Sequence, residues 1–148
     1  MAVSRGAGTE IIRTAHFEDI DGATSLIFGV QHHIYTVLSI AVFANAINAA
    51  GDTAQCYILG YDSEAGTTAQ NIYIFNQVMS ANETFVWNDK FSFNGHEPTD
   101  FTGPMDSIVK QDAIADQGSS VAQKLMMTST HASDSFEVTV TFIDQNNA

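Results

Sequence analysis

Five histidines, one cysteine and seventeen carboxylates are the side chains of this 148-residue sequence with the broadest chemical repertoire. His32 and His33 are adjacent, so in a strand they point to opposite faces and cannot share a metal. His16, His96 and His131 lie in or beside predicted loops. A metal site built from them with Asp62 or Asp100 has no ligand-spacing signature, and ordinary polar histidines are the expectation. Glu18, Asp19 and Asp21 cluster in EDIDG. A calcium loop needs regularly spaced oxygen ligands and a closing bidentate acid, and this stretch is too short to supply them. Cys56 stands alone in the apolar run QCYILGY and reads as a buried small hydrophobe. One cysteine makes neither an internal disulfide nor a zinc knuckle. No Gly-x-Ser-x-Gly elbow, P-loop or dinucleotide fingerprint occurs. Scattered Ser, His and Asp residues carry no weight as a triad. The expectation is a chain with no catalytic, metal or cofactor-binding residues, and not an enzyme.

Composition narrows the field further. Seventeen acids face five bases, Arg5, Arg13, Lys90, Lys110 and Lys124, for a formal charge of −12. The bases are not clustered, which argues against nucleic acid and against an anionic membrane surface. Hydrophobic residues make up 45% of the chain, enough for a sizeable core, yet charged residues are only 15%. Ser, Thr, Asn, Gln and Ala must therefore cover much of the exterior, a composition that suits packing against neighbours. No apolar run reaches transmembrane length, and MAVSRGAGTE has no apolar region of the signal-peptide kind. Asn82-Glu83-Thr84 matches a glycosylation sequon and reads as chance.

The elements that would position any site are strands. Ile34 to Asn45, IYTVLSIAVFAN, has no charge, and both of its parities are largely apolar. Its β-branched residues favour a central strand buried on both sides. Around it, residues 9–17, 23–30, 54–61, 71–78, 84–93, 122–130 and 135–143 read as further strands. In 84–93 the residues Phe85, Trp87, Phe91 and Phe93 share one parity, with a bulge or bend expected near Asn88-Asp89. These aromatics could stack a sugar, but their alternation fits core packing better. In 135–143, Phe136, Val138, Val140 and Phe142 should face inward. EDIDG and Ser80–Glu83 read as turns, and 62–70 as a loop. The loop at 45–53 and HASD at 131–134 each read as hairpin connections. Residues 94–104 form the longest irregular stretch and the best candidate for an exposed excursion. A short helix is expected over 105–117, and residues 144–148 read as a polar tail. The sum is an all-β antiparallel β-sandwich, jelly-roll-like, of about eight strands and one short helix. Residues 1–8 form a flexible N-terminal arm and 9–148 a single domain.

The order of these blocks resembles a group of small virion proteins of tailed phages, many of the marine and cyanobacterial type. The resemblance rests on YTVLSIAVFAN, a following YIL strand, SANETFVW, and the closing LMMTSTHASDSFEVTVTFID, and spans roughly residues 25–144. Two departures stand out: Ser119 to Ala122 replaces a usual Gly-Asp pair, and 94–118 looks like an insertion. The resemblance implies a β-sandwich building block of the virion, most simply a capsid decoration (cement) protein. It implies a homo-oligomer, a trimer by preference, bound to the major capsid protein and located on virions assembled in the host cytoplasm. The contacts are then expected from the arm, with Val3 and Arg5, and from the excursion, with Asn94, His96, Glu97 and Phe101. The alternatives are a tail- or fibre-associated protein and a carbohydrate-binding module using the aromatics or the 62–70 loop.

Overall fold

The computed structural model describes residues 8–62, 64–98, 106–109, 112 and 120–147, with the side chains of 67–69 and 98 outside that set. Eleven strands occur among the described residues: β1 (Thr9–Ile20), β2 (Thr24–Phe28), β3 (His33–Ala46), β4 (Thr53–Asp62), β5 (Thr67–Val78), β6 (Thr84–Trp87), β7 (Phe91–Asn94), β8 (His96–Pro98), β9 (Ser120–Ala122), β10 (Lys124–Ser129) and β11 (Ser135–Asn146). One sheet runs β1-β11-β3-β6, with β7 also on β3. A second runs β2-β10-β4-β5, and β8 and β9 form a separate two-stranded ribbon.

The pairing is that of one long double ribbon rolled up. β4 pairs β5 at its tip, β3 pairs β6 and β7, β2 pairs β10, and β1 pairs β11. Rolling then lays β11 on β3 and β10 on β4, all antiparallel. This is the jelly-roll topology, and it makes the chain step repeatedly from one sheet to the other. Two expected hairpins are therefore corrected. The loops at 47–52 and 130–134 each lead across to the opposite sheet, because a turn signal marks a chain reversal but not which sheet receives the next strand. The tip hairpin is the one between β4 and β5, closed by Gly66 at φ 68° and by Gly66 N–H donating to Asp62 O at 2.8 Å.

β3 explains its own uniform hydrophobicity. Tyr35 and Val37 are buried on one parity, and Ile40, Val42 and Ala44 on the other. The register against β11 slips between Val37 and Ser39, leaving Leu38 as an extra residue. A bulge of one residue flips every later side chain, so both parities reach the same core in turn. The strand is thus buried on one face and half-buried on the other. β11 keeps the expected alternation, with Phe136, Val138, Val140 and Phe142 in the core. Phe85, Trp87 and Phe91 pack against that core, and Phe93 is buried within it, so the aromatic row packs as core, as its alternation suggests. Trp87 Nε1 is buried without a hydrogen-bond partner among the described residues. Such an orphan costs about 1–3 kcal/mol, and the ring's contact with Phe75 at 6.0 Å belongs to the packing that offsets it.

Other boundaries moved. β1 continues into EDIDG as far as Ile20 by way of a bulge, with Asp19 at φ 52° and Ile20 anchoring the end in the core. β5 begins at Thr67, inside the stretch expected as loop, because the tight tip hairpin fixes its register on β4. The 84–93 stretch breaks between Trp87 and Phe91 into β6 and β7, as its bend signal predicts. β11 continues through Asp144 to Asn146, where a polar tail was expected, since it lies between β1 and β3 and both neighbours extend that far. Within 94–104, His96–Pro98 forms β8 against β9. The expected helix over 105–117 falls mostly outside the described residues; Ile108, Val109 and Asp112 in it are helical. The arm at 1–7 also lies outside them.

Candidate interaction surfaces

The histidines do not converge. His16 on β1 bonds Thr139 Oγ1 through Nδ1 at 2.8 Å, with Glu18 3.8 Å from Nε2. His96 on β8 bonds Ser120 Oγ at 3.1 Å, and His131 Nδ1 accepts from Ser133 N–H at 3.0 Å. Asp62 caps the β4–β5 loop by accepting from Glu64 and Ala65 N–H, and Asp100 lies outside the described residues. No group of three metal-ligating side chains occurs among the described residues. Cys56 is buried in β4, and burial pushes its thiol up to about 12 from 9.0. A thiol that resists ionisation is a core residue rather than a nucleophile. Burial also raises the Tyr57 phenol, with Tyr73 and Cys56 adding to the rise.

The expected contact residues Asn94, His96 and Glu97 sit at the root of the β8–β9 ribbon; Val3, Arg5 and Phe101 lie outside the described residues. The root is a main-chain knot. Gly29 N–H donates to Gln123 O, Gln123 N–H to Gly95 O, and Gly95 N–H to His33 O, each at 2.8 Å. The buried Gln123 side chain donates to Asn94 O at 3.1 Å. A Cβ on Gly29 would collide with the Gly95 and Gln123 carbonyls, and one on Gly95 with the backbone of Val30. Glycine is required here by close approach of backbones. Asn94 Nδ2 reaches Glu97 Oε1 at 3.4 Å. Beside the root, His33 Nδ1 donates to Asp144 Oδ1 at 2.7 Å, a pairing hidden from the sequence because Asp144 reads as tail. Beyond the ribbon, Ile108 and Val109 are exposed.

The opposite end is formed by the bend at 18–23 and the loops at 47–52, 79–83 and 130–134. Asp134, buried, accepts from Asn48 N–H at 2.7 Å and from His131 N–H at 3.2 Å. Asp52 O accepts from Met79 N–H at 3.3 Å, Ala44 O from Asn82 N–H at 2.7 Å, and Asp19 Oδ1 from Ser135 Oγ at 3.2 Å. These bonds join the loops to one another and to the strands beneath. Glu18, Asp19, Asp21, Asp52, Glu83 and Asp134 lie on them with no Lys or Arg. Ile47, Ala50, Val78 and Ala81 help line an open hollow of about 440 Å³ there. A smaller cleft of about 230 Å³ opens between the edge strands β1 and β2, where the Arg13 guanidinium lies 5.7 Å from the Phe142 ring centroid.

The outer faces differ in charge. On the β1-β11-β3-β6 sheet, cross-strand hydroxyls pair, Thr14 with Thr141 at 3.4 Å and Thr36 with Ser92 at 2.9 Å, alongside exposed Ile12 and Val86. Glu10, Glu18 and Glu137 belong to that sheet. On the β2-β10-β4-β5 sheet, Asp62 is the one acid in the four strands, and it turns into the tip loop.

No protein-family model matches this chain, and no curated protein matches it. Solved structures of virus particles do show a likeness. A chain of the T13 IBDV viral particle is 12% identical over 99% of this chain and 37% of that one, at a TM-score of 0.39. A chain of the infectious bursal virus derived T=1 particles is 12% identical over 99% of this chain and 38% of that one, at 0.38. This chain spans less than two fifths of the length of either.

Proposed function

We propose that this chain is a virion structural protein, and specifically a capsid decoration protein that binds the major capsid protein and itself. The observation that carries the reading is a surface suited to burial. Ile12, Phe28, Tyr73 and Val86 are exposed on the outer sides of a jelly roll whose chain has only 15% charged residues. Apolar groups left open in this way on a surface poor in charge mark contact with other proteins. The resemblance of the strand blocks to small tailed-phage virion proteins points the same way. The mechanism is mechanical. Burying apolar area at junctions between shell subunits stabilises them by about 25 cal/mol per Å², and that gain opposes internal genome pressure. Trimers over the junctions are the arrangement proposed, with the ribbon root and residues 1–8 as contacts to the shell.

The test is the protein content of density-banded particles from cells that make the chain. The reading expects this polypeptide in the particle band, at a copy number in simple ratio to the major shell subunit. A copy number of a few per particle would transfer the chain to the tail or fibres. Its absence from the band would overturn a virion role and leave a free binding module.

A further inference from the structure

We infer that the outer face of the β2-β10-β4-β5 sheet is where one copy of this chain meets a second copy. This rests on the self-association in the reading above and names the surface for it. The cross-strand register puts Met126, Tyr57 and Tyr73 in one outward row, and Phe28, Lys124 and Leu59 in the next. Met126 and Tyr57 form a closed floor, while Tyr73 at 56% and Phe28 at 60% exposure stand at its two sides. Tyr57 and Tyr73 rings pack at 5.7 Å, and the Lys124 ammonium lies 4.7 Å over the Phe28 ring. The single cation on this face is thus already engaged with an aromatic face.

Charge decides the occupant. Two chains of formal charge −12 repel wherever their carboxylates approach within a Debye length, about 8 Å at physiological salt. The strands of the other sheet carry the unburied acids Glu10, Glu18 and Glu137, and the loop end adds Asp19, Asp21, Asp52 and Glu83 without a Lys or Arg. Among the described residues, the β2-β10-β4-β5 face brings none outward. A basic partner would be drawn to the loop end, whereas a second copy meets least repulsion on this face.

The experiment is sedimentation velocity of the purified full chain over a concentration series, with Tyr73→Glu, Phe28→Asp and Val86→Glu beside it. Val86 is the control, 52% exposed on the other sheet's outer side. Wild type and Val86→Glu should sediment as the same oligomer. Tyr73→Glu and Phe28→Asp should each weaken association by about a hundredfold, because each sets like charges across the contact. Far-ultraviolet circular dichroism identifies any variant that has merely unfolded, and either of the two suffices. A chain that stays monomeric to millimolar concentration overturns the inference. So does an oligomer that Val86→Glu dissociates and the other two leave intact. The particle-band composition judges the virion reading separately, so each can fail without the other.

Discussion

The two ends of the sandwich are fastened by different chemistry. At the loop end, side-chain carboxylates reach backbone N–H groups: Asp134 to Asn48 and His131, Asp52 to Ala49, Glu83 to Ser80. At the ribbon end, backbone meets backbone through Gly29, Gly95 and Gln123, with no room for a Cβ at either glycine. A carboxylate latch spans a gap and tolerates small shifts. A glycine contact fixes the separation of two chains and tolerates none. The ribbon end is thus fixed by close main-chain approach, and the loop end is a set of turns tied together by one buried acid and by main-chain bonds such as Met79 N–H to Asp52 O.

The comparison can be broken most severely at the ribbon end. Gly95→Ala forces a methyl into the Val30 backbone, which has no rotamer to yield. Urea denaturation should show a loss of more than about 3 kcal/mol, or no soluble protein. A loss under about 1 kcal/mol would mean the two chains do not approach as described. At the loop end, Asp134→Ala leaves the Asn48 and His131 N–H groups without their buried acceptor. The expected loss is about 2–3 kcal/mol, accompanied by new proteolytic cuts within 47–52 and 130–134.

Alkaline pH sharpens the contrast by acting at neither end. Cys56 is held neutral by burial, its pKa raised from 9.0 to about 12. A raised thiol stabilises the fold fully below pH 9 and loses that contribution as pH climbs toward 12. Stability should fall by about 1 kcal/mol by pH 10 and further above it. Cys56→Ala should flatten that decline, with Tyr57 supplying a residual slope of the same sign. The smallest effect is Glu83→Ala, which removes an exposed cap on Ser80 N–H and should cost about 0.5 kcal/mol.

The same contrast governs what the sequence discloses. Turn chemistry is local, so SANE and HASD mark the loop end's reversals, and Asn82 takes φ 67° within one of them. The alternation of β11 and of Phe85 to Phe93 is likewise local, and both faces were legible. The ribbon is not. β8 and β9 are three residues each, joined across a separation of more than twenty, and nothing in HEP or SVA marks them as partners. The β3 bulge hides in the same way: a uniformly apolar strand reads as buried on both faces until its register on β11 shows the parity switching at Leu38. The acid-poor face of the second sheet is invisible for a related reason. Its strands β2, β10, β4 and β5 are scattered along the chain, and that Asp62 is their one acid appears only once they lie side by side.

The most direct test of a virion role is cryo-electron microscopy of the intact particles, with this jelly roll fitted to density outside the major shell. The account predicts density of this size repeating over the capsid lattice, with neighbouring copies in contact. Density confined to the neck, tail or fibres, or none that accepts the fold, would contradict it.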